Sequence, residues 1–92
     1  MRLHLVLKKE WYDKVLSGEK DIEYRTLNDF WKKRILDKKD KLKKVRFTKG
    51  YVSFGYDFEI TKIDVGKCPY PNWNGDFIRI HFNNYFNERQ QR

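Results

Sequence analysis

Five short stretches of this chain alternate apolar and polar residues, and this alternation limits the fold more than any other feature of the sequence. Successive side chains of a β-strand point to opposite faces, so alternation is typical of a strand with one buried face. The first stretch carries Leu3, Leu5 and Leu7 at every second position. The other four are residues 20–25 (KDIEYR), 44–51 (KVRFTKGY), 53–66 (SFGYDFEITKIDVG) and 76–82 (DFIRIHF). The chain is therefore predicted to fold around a β-sheet.

Two other segments have the spacing of amphipathic helices. Large apolar side chains recur on one face of residues 9–17, and Gly18 stands where a C-cap glycine belongs. A second helix is predicted to start at a cap formed by Asn28 or Asp29 and to run to about Leu36. The predicted order of elements is β-α-β-α-β-β-β.

The length of 92 residues indicates a single domain spanning residues 1–92. Successive parallel strands covered by helices need a longer chain than this. We therefore expect an α+β fold with two short helices, built on a curled sheet or a small β-barrel. The polar tail, residues 83–92, is expected to fray or to form a weak turn.

The net charge of +8 is concentrated in one segment. Residues 32–46, here named the basic segment, hold nine Lys or Arg and two Asp, so this segment alone carries +7. A charge run of this kind is either a solvated face or a patch that contacts the phosphates of a nucleic acid. The candidate phosphate contacts are Lys38, Lys39, Lys41, Lys43, Lys44 and Arg46.

Several classes of site lack support in the sequence. Cys68 is the single cysteine, and with His4 and His81 it does not form the spacing of a zinc site. The glycines form no phosphate-binding loop, and neither serine stands in a nucleophile elbow. No apolar stretch approaches the roughly 20 residues that span a bilayer. We expect a cytoplasmic protein without a metal, a cofactor or a membrane partner.

The segment GEKDIEYR, residues 18–25, combines strand alternation with full charges. A period of two places Glu23 and Arg25 on one face and Lys20 on the other. The pair is either an ordinary surface ion pair or part of a polar site, since a turn after Gly18 can swing the Lys20 ammonium toward Glu23. We expect the Lys20 and Glu23 side chains to share one hollow at the open end of the sheet.

The same segment matches the pattern GxKxxExR and resembles the signature of the ASCH domain family, which has a PUA-like fold. The resemblance extends over roughly residues 3–82. WYDKVLSG is similar to the helix before the signature, DFWKKR to the helix after it, and VRFTKGY and FIRIHF to later barrel strands. It implies a small barrel whose cleft is lined by the signature residues and takes RNA or a nucleotide-like ligand.

Some small members of that family hydrolyse the amide of N4-acetylcytidine with a lysine, a threonine and a glutamate. The lysine corresponds to Lys20, whereas the threonine position holds Glu23. The catalytic glutamate lies in a later helical insertion that has no counterpart here, although Glu23 or Glu59 are candidates to replace it.

Three functions remain open from the sequence. The first is an RNA- or nucleotide-binding module. The second is a small hydrolase, acting on an N4-acylated cytidine or as a ribonuclease, with Lys20 and Glu23 as catalytic residues. The third is a protein–protein adaptor. The aromatic candidates are either stacking surfaces or packing residues. The candidate ligand-binding residues are Lys20, Glu23, Arg25, Trp31, Arg34, Tyr51 and Trp73.

Overall fold

The computed structural model describes residues 1–50 and 54–90, which form five strands and three α-helices. The strands are β1 (Arg2–Leu7), β2 (Ile22–Thr26), β3 (Lys44–Lys49), β4 (Tyr56–Lys67) and β5 (Asp76–Phe82). The helices are α1 (Lys9–Leu16), α2 (Asp29–Arg34) and α3 (Tyr85–Gln90), and a short 3₁₀ turn, Leu36–Lys38, follows α2.

The strands form one mixed sheet in the order β1-β3-β4-β5-β2, in which β1 and β3 are parallel and the other pairs are antiparallel. The long strand β4 pairs with β3 through Tyr56–Glu59 and with β5 from Ile60 onward. The register shifts between Ile60 and Lys62, and such a bulge bends a strand. Strand β4 therefore belongs to both halves of the sheet.

The predicted α+β class is confirmed, but the predicted closed barrel is not. Within residues 1–50 and 54–90 no ladder joins the edge strands β1 and β2, so the sheet is open. Strand β2 pairs with β5, which lies more than fifty residues later in the sequence.

The core lies where the alternating pattern places it. Leu3, Leu5 and Leu7 of β1 are buried, and α1 covers them with Tyr12 and Val15. The same cluster includes, from later elements, Ile35, Leu42, Val45, Phe47, Phe58, Ile78, Ile80 and Phe82. Ile35, Leu42 and Val45 come from the basic segment, so three buried apolar side chains hold that segment against the core.

Several predicted bounds differ from the structure. Strand β2 begins at Ile22 rather than at residue 20, because the Lys20 N–H donates to the Lys14 carbonyl in a turn. The helical part of α2 ends at Arg34, where the buried Ile35 leaves the helix. Strand β4 begins at Tyr56, and residues 51–53, which include the end of one predicted strand and the start of the next, lie outside the described residues.

The tail was expected to fray or to form a weak turn, but residues 85–90 form α3. Asn84 caps this helix, because its Oδ1 accepts from the Phe86 N–H at 2.9 Å. Its Nδ2 donates to the Val15 and Lys20 carbonyls at 2.9 and 2.7 Å. Asn84 therefore ties the tail to the turn between α1 and β2.

Candidate ligand-binding site

Lys20, Glu23 and Arg25 form a continuous chain of opposite charges. The Lys20 Nζ lies 3.0 Å from Glu23 Oε1, and Arg25 Nη2 lies 2.6 Å from Glu23 Oε2. Lys20 and Glu23 are each only 5% exposed, whereas a surface ion pair leaves both groups in water. The surface-pair interpretation of Glu23 therefore does not fit this geometry.

The turn before β2 places the Lys20 ammonium on the Glu23 side of the strand. Gly18 has a φ of +84°, which favours glycine, and the Lys20 N–H bonds to the Lys14 carbonyl at 3.1 Å. The Lys20 carbonyl accepts from Asn84. Lys20 thus lies before the strand rather than in it, and its backbone is held at both ends.

Three aromatic rings surround the Lys20 ammonium. Its Nζ lies 5.3 Å from the ring of Trp11, 5.4 Å from that of Tyr24 and 5.5 Å from that of Tyr70. Ring faces attract cations at this range, and the attraction is larger where water is excluded. Burial raises the pKa of Tyr24, so its hydroxyl stays protonated at neutral pH.

A hollow of about 300 Å³ opens beside these residues. Its size is at the lower end of the range for small-molecule sites. We name it the ring-lined hollow, and its main contributors are Trp11, Lys20, Glu23, Arg25, Tyr70 and Trp73. It combines aromatic faces with a carboxylate and a guanidinium, which is the composition that a flat polar ligand needs.

The loop between β4 and β5 forms one wall of the hollow. Tyr70 packs against Trp11 with ring centroids 5.0 Å apart, and Trp73 packs against Tyr70 at 5.6 Å. Trp73 remains 37% exposed. The loop turns at Asn72, φ +69°, and at Gly75, φ +85°. Its ring contacts therefore fix a wall that still has one exposed aromatic face.

Arg25 connects the hollow to α2. Its guanidinium carbon lies 5.0 Å from the Trp31 ring, and its Nη2 also donates to the Val6 carbonyl at 3.4 Å. Its Nε is buried and has no hydrogen-bond partner among the described residues. Arg25 thus keeps one unused donor next to the hollow.

The structure brings some predicted site residues together and separates others. Lys20, Glu23, Arg25 and Trp73 line the hollow, and Trp31 borders it through Arg25. Tyr51 lies outside the described residues. The remaining candidates belong to the basic segment and do not line the hollow.

The basic segment presents most of its cations to solvent. Arg34 lies over the Phe30 ring, with its guanidinium carbon 4.2 Å from the centroid. Arg46 differs from the predicted exposed phosphate contact, because it is half-buried and bonds to Asp57 at 3.0 Å. Burial favours the neutral form of Asp57, but hydrogen bonds from Arg46 and Arg2 outweigh it, and the pKa is lowered. The lysines predicted to contact phosphates are all exposed: Lys38, Lys39, Lys41, Lys43 and Lys44.

The histidines have partners within the sheet. The Nε2 of His4 lies 3.0 Å from the Thr48 hydroxyl, and that of His81 lies 3.0 Å from Asp64. Among residues 1–50 and 54–90, no group of three or more His, Cys, Asp or Glu side chains is placed to hold a metal ion. No helix in the same ranges is long and apolar enough to cross a membrane.

Sequence reasoning missed four residues that form or support the site: Trp11, Tyr24, Tyr70 and Asn84. Trp11 was counted among the apolar face of α1, although a tryptophan at its N-terminal end can equally face a cavity. Tyr70 stands between Pro69 and Pro71, and a restricted loop with two large rings, Tyr70 and Trp73, was the available signal. Asn84 offered a local signal as the N-cap of a helix, since it caps α3 through the Phe86 N–H. Its bonds to the Val15 and Lys20 carbonyls had no signal, because those residues lie far away in the chain.

Comparisons of the chain with protein families, with curated proteins and with solved structures found no match.

Proposed function

We propose that this protein binds a nucleobase of single-stranded RNA, or a free nucleotide, in the ring-lined hollow. The observation that carries the proposal is the meeting of the Lys20–Glu23–Arg25 chain with the rings of Trp11, Tyr70 and Trp73 around one cavity of about 300 Å³. The net charge of +8 supports a polyanionic partner.

The hollow offers a base two kinds of contact. Stacking on an aromatic side chain is worth about 1–3 kcal/mol per base and tolerates any base. The polar edge of the base faces the Glu23 carboxylate and the Arg25 guanidinium. An unpartnered buried donor such as the Arg25 Nε costs about 1–3 kcal/mol, and a base carbonyl would recover this free energy if the guanidinium turned its Nε toward the hollow.

The resemblance to the ASCH family and its PUA-like barrel belongs to this proposal. The signature residues Gly18, Lys20, Glu23 and Arg25 act as one unit: the glycine forms the turn, and the other three line the hollow. Charged residues that bind a ligand must lie around one cavity, as these three do, whereas residues that only pack the core need not be charged.

Tryptophan fluorescence tests the proposal, because Trp11 and Trp73 line the hollow. The probes are the four nucleosides, the four nucleoside monophosphates and eight-nucleotide RNA homopolymers, titrated at low salt. We expect Trp73→Ala to weaken binding about tenfold, the equivalent of one lost stacking contact. Phe54→Ala is the matched control, since Phe54 is 63% exposed and does not line the hollow. If no probe binds, or if both variants bind like the parent protein, the proposal is wrong.

Hydrolysis of an N4-acylated cytidine is a second candidate, favoured by the 3.0 Å contact between Lys20 Nζ and Glu23 Oε1. Water would add across the amide to give acetate and cytidine, with Lys20 as base or nucleophile. The geometry supports binding better, because the Lys20 side chain is only 3% exposed and rings surround its ammonium. Chromatography of N4-acetylcytidine and of RNA after incubation tests both reactions. Products that persist with Lys20→Met would exclude catalysis by this lysine.

A further inference from the structure

A second concavity, of about 250 Å³, is lined in part by Trp31. We name it the basic groove; it is lined by Arg2, His4, Trp31, Arg34 and Lys38 above Leu42. None of the lining residues that the structure describes carries a carboxylate. The groove therefore combines three cationic side chains and an imidazole with no opposing charge of its own.

Two of these cations are not neutralised. Within residues 1–50 and 54–90, no carboxylate lies within 4.0 Å of the Arg34 or Lys38 charge. Arg34 is positioned by the Phe30 ring at 4.2 Å, which costs the guanidinium none of its hydrogen-bond donors. The charge of Arg2, by contrast, is partly neutralised, since its Nη1 bonds to Asp57 at 3.0 Å.

The other concavities next to the basic segment differ in charge. Lys39 and Lys43 line one that also contains Asp40. Lys44 lines another that contains Asp57 and Glu59. The first of these also contains Lys62, which is paired with Asp64 at 3.3 Å. The carboxylates in both places offset part of the attraction between the lysines and a phosphate. Among the cations of the basic segment, Arg34 and Lys38 are therefore the pair best placed to hold an anion.

Trp31 joins the groove to the hollow. One side of the tryptophan contacts the Arg25 guanidinium at 5.0 Å, and Arg25 lines the hollow. The same tryptophan lines the groove with Arg34 and Lys38. A nucleotide chain that leaves the hollow past Arg25 and Trp31 thus arrives at these two cations.

We infer that the basic groove binds a phosphodiester of the single-stranded RNA whose base occupies the ring-lined hollow; this inference rests on the proposed function. Arg34 supplies paired donors that match phosphate oxygens, and Lys38 supplies a point charge. The groove selects RNA chains over free nucleosides, whereas the hollow binds both.

Two double variants with the same change in net charge test the inference. Arg34→Ala with Lys38→Ala removes the groove cations, and Lys41→Ala with Lys43→Ala removes exposed cations outside the groove. The probes are fluorescein-labelled eight-nucleotide RNA homopolymers and the unlabelled nucleosides, titrated at several salt concentrations. Circular dichroism checks that both variants are folded.

We expect the groove variant to bind the homopolymers at least about tenfold more weakly. The slope of log K against log salt, which is negative, should decrease in magnitude by about 2, since each phosphate contact contributes about 1. The affinity of the groove variant for nucleosides should not change. Equal weakening by the two variants would overturn the inference and leave the hollow standing. If no nucleoside and no homopolymer binds the parent protein, the proposed function is wrong and the inference fails with it.

Discussion

At Glu23, one nearly buried carboxylate contacts two cations, the Lys20 ammonium at 3.0 Å and the Arg25 guanidinium at 2.6 Å. Removing one member of a buried ion pair typically costs 3–5 kcal/mol, because the remaining charge stays buried without compensation. We therefore expect Glu23→Gln to lower the free energy of unfolding by about 3 kcal/mol. Urea denaturation followed by tryptophan fluorescence measures this change.

Glu19→Gln is the matched control for that prediction. Glu19 also pairs with a lysine, Lys14 at 3.1 Å, but its side chain is 65% exposed. Loss of an exposed pair changes stability by less than about 1 kcal/mol. Similar losses in Glu23→Gln and Glu19→Gln would mean that the Glu23 cluster is solvated and that the hollow has no buried charge.

Asp64 of strand β4 gives a prediction about how stability depends on pH. Hydrogen bonds from Arg79 at 2.7 and 2.8 Å, and then from His81 and Lys62, lower the pKa of Asp64 well below its ordinary value near 3.8. A carboxyl with a lowered folded-state pKa stabilises the fold above its unfolded pKa, and this contribution is lost as pH falls below it.

Asp64→Asn should therefore destabilise the protein by about 2 kcal/mol at pH 7, the value of hydrogen bonds to a charged group. The difference between variant and parent should shrink as pH falls from about 5 to about 2, because the unfolded parent then binds a proton at Asp64 that the folded parent does not, which favours unfolding of the parent. Urea denaturation at pH 7, 5 and 3 measures it. A difference that stays constant over this range would contradict the assigned pKa shift.

At the scale of the elements, Gly18 lets α3 pack against the turn between α1 and β2. Its φ is +84°, and a Cβ at this position would lie 2.8 Å from the Asn87 Cα. We expect Gly18→Ala to destabilise the protein by more than the roughly 1–2 kcal/mol of a left-handed alanine, because the α3 backbone must also move. The free energy of unfolding and the hydrogen exchange of the Asn87 N–H, which bonds to the Asn84 carbonyl, measure both effects.

Gly75→Ala separates the two contributions. Gly75 has nearly the same φ, +85°, but no atom lies within 4 Å of the Cβ that it would gain. It should show the conformational cost alone and leave the Asn87 exchange rate unchanged. Equal effects of the two substitutions would show that α3 does not press on Gly18.

The elements that the sequence predicts well are those whose pattern is local. The alternation of Leu3, Leu5 and Leu7 is enough to place β1, and Asn28 is enough to start α2, since its side chain accepts from the Trp31 N–H. Helix α3 was not predicted, because the bond that docks its start on the fold joins Asn84 to Val15, which is 69 positions earlier. Interactions over such separations leave no periodic trace in the sequence.

The candidate site divides in the same way. The approach of Lys20 to Glu23 could be predicted, because both lie within six residues of the Gly18 turn. The contact between the Tyr70 ring and Lys20 could not be predicted, because it joins the β4–β5 loop to a residue fifty positions earlier in the chain. Closure of the barrel was predicted from the number of strands, but pairing of β1 with β3 and of β2 with β5 leaves both as edges.

At the scale of the whole molecule, the distribution of charge opposes folding at low salt. The basic segment carries +7 of the net +8, and most of its lysines are exposed. Like charges held close together repel, and the repulsion extends over a screening length of about 30 Å at 0.01 M salt but only about 10 Å at 0.1 M. The fold tolerates this strain because Ile35, Leu42 and Val45 anchor the segment in the core.

We therefore expect the free energy of unfolding to rise when sodium chloride is raised from about 0.01 M to about 0.3 M, because screening relieves the repulsion. Replacing Lys41 and Lys43 by Glu lowers the net charge from +8 to +4 and should remove most of this rise, since both lie in the segment. Replacing Lys8 and Lys49 by Glu gives the same net charge from exposed positions outside the segment. This variant should retain more of the salt-dependent rise in the free energy of unfolding than the Lys41 and Lys43 variant does. If the two variants respond to salt alike, the net charge matters and its concentration in residues 32–46 does not.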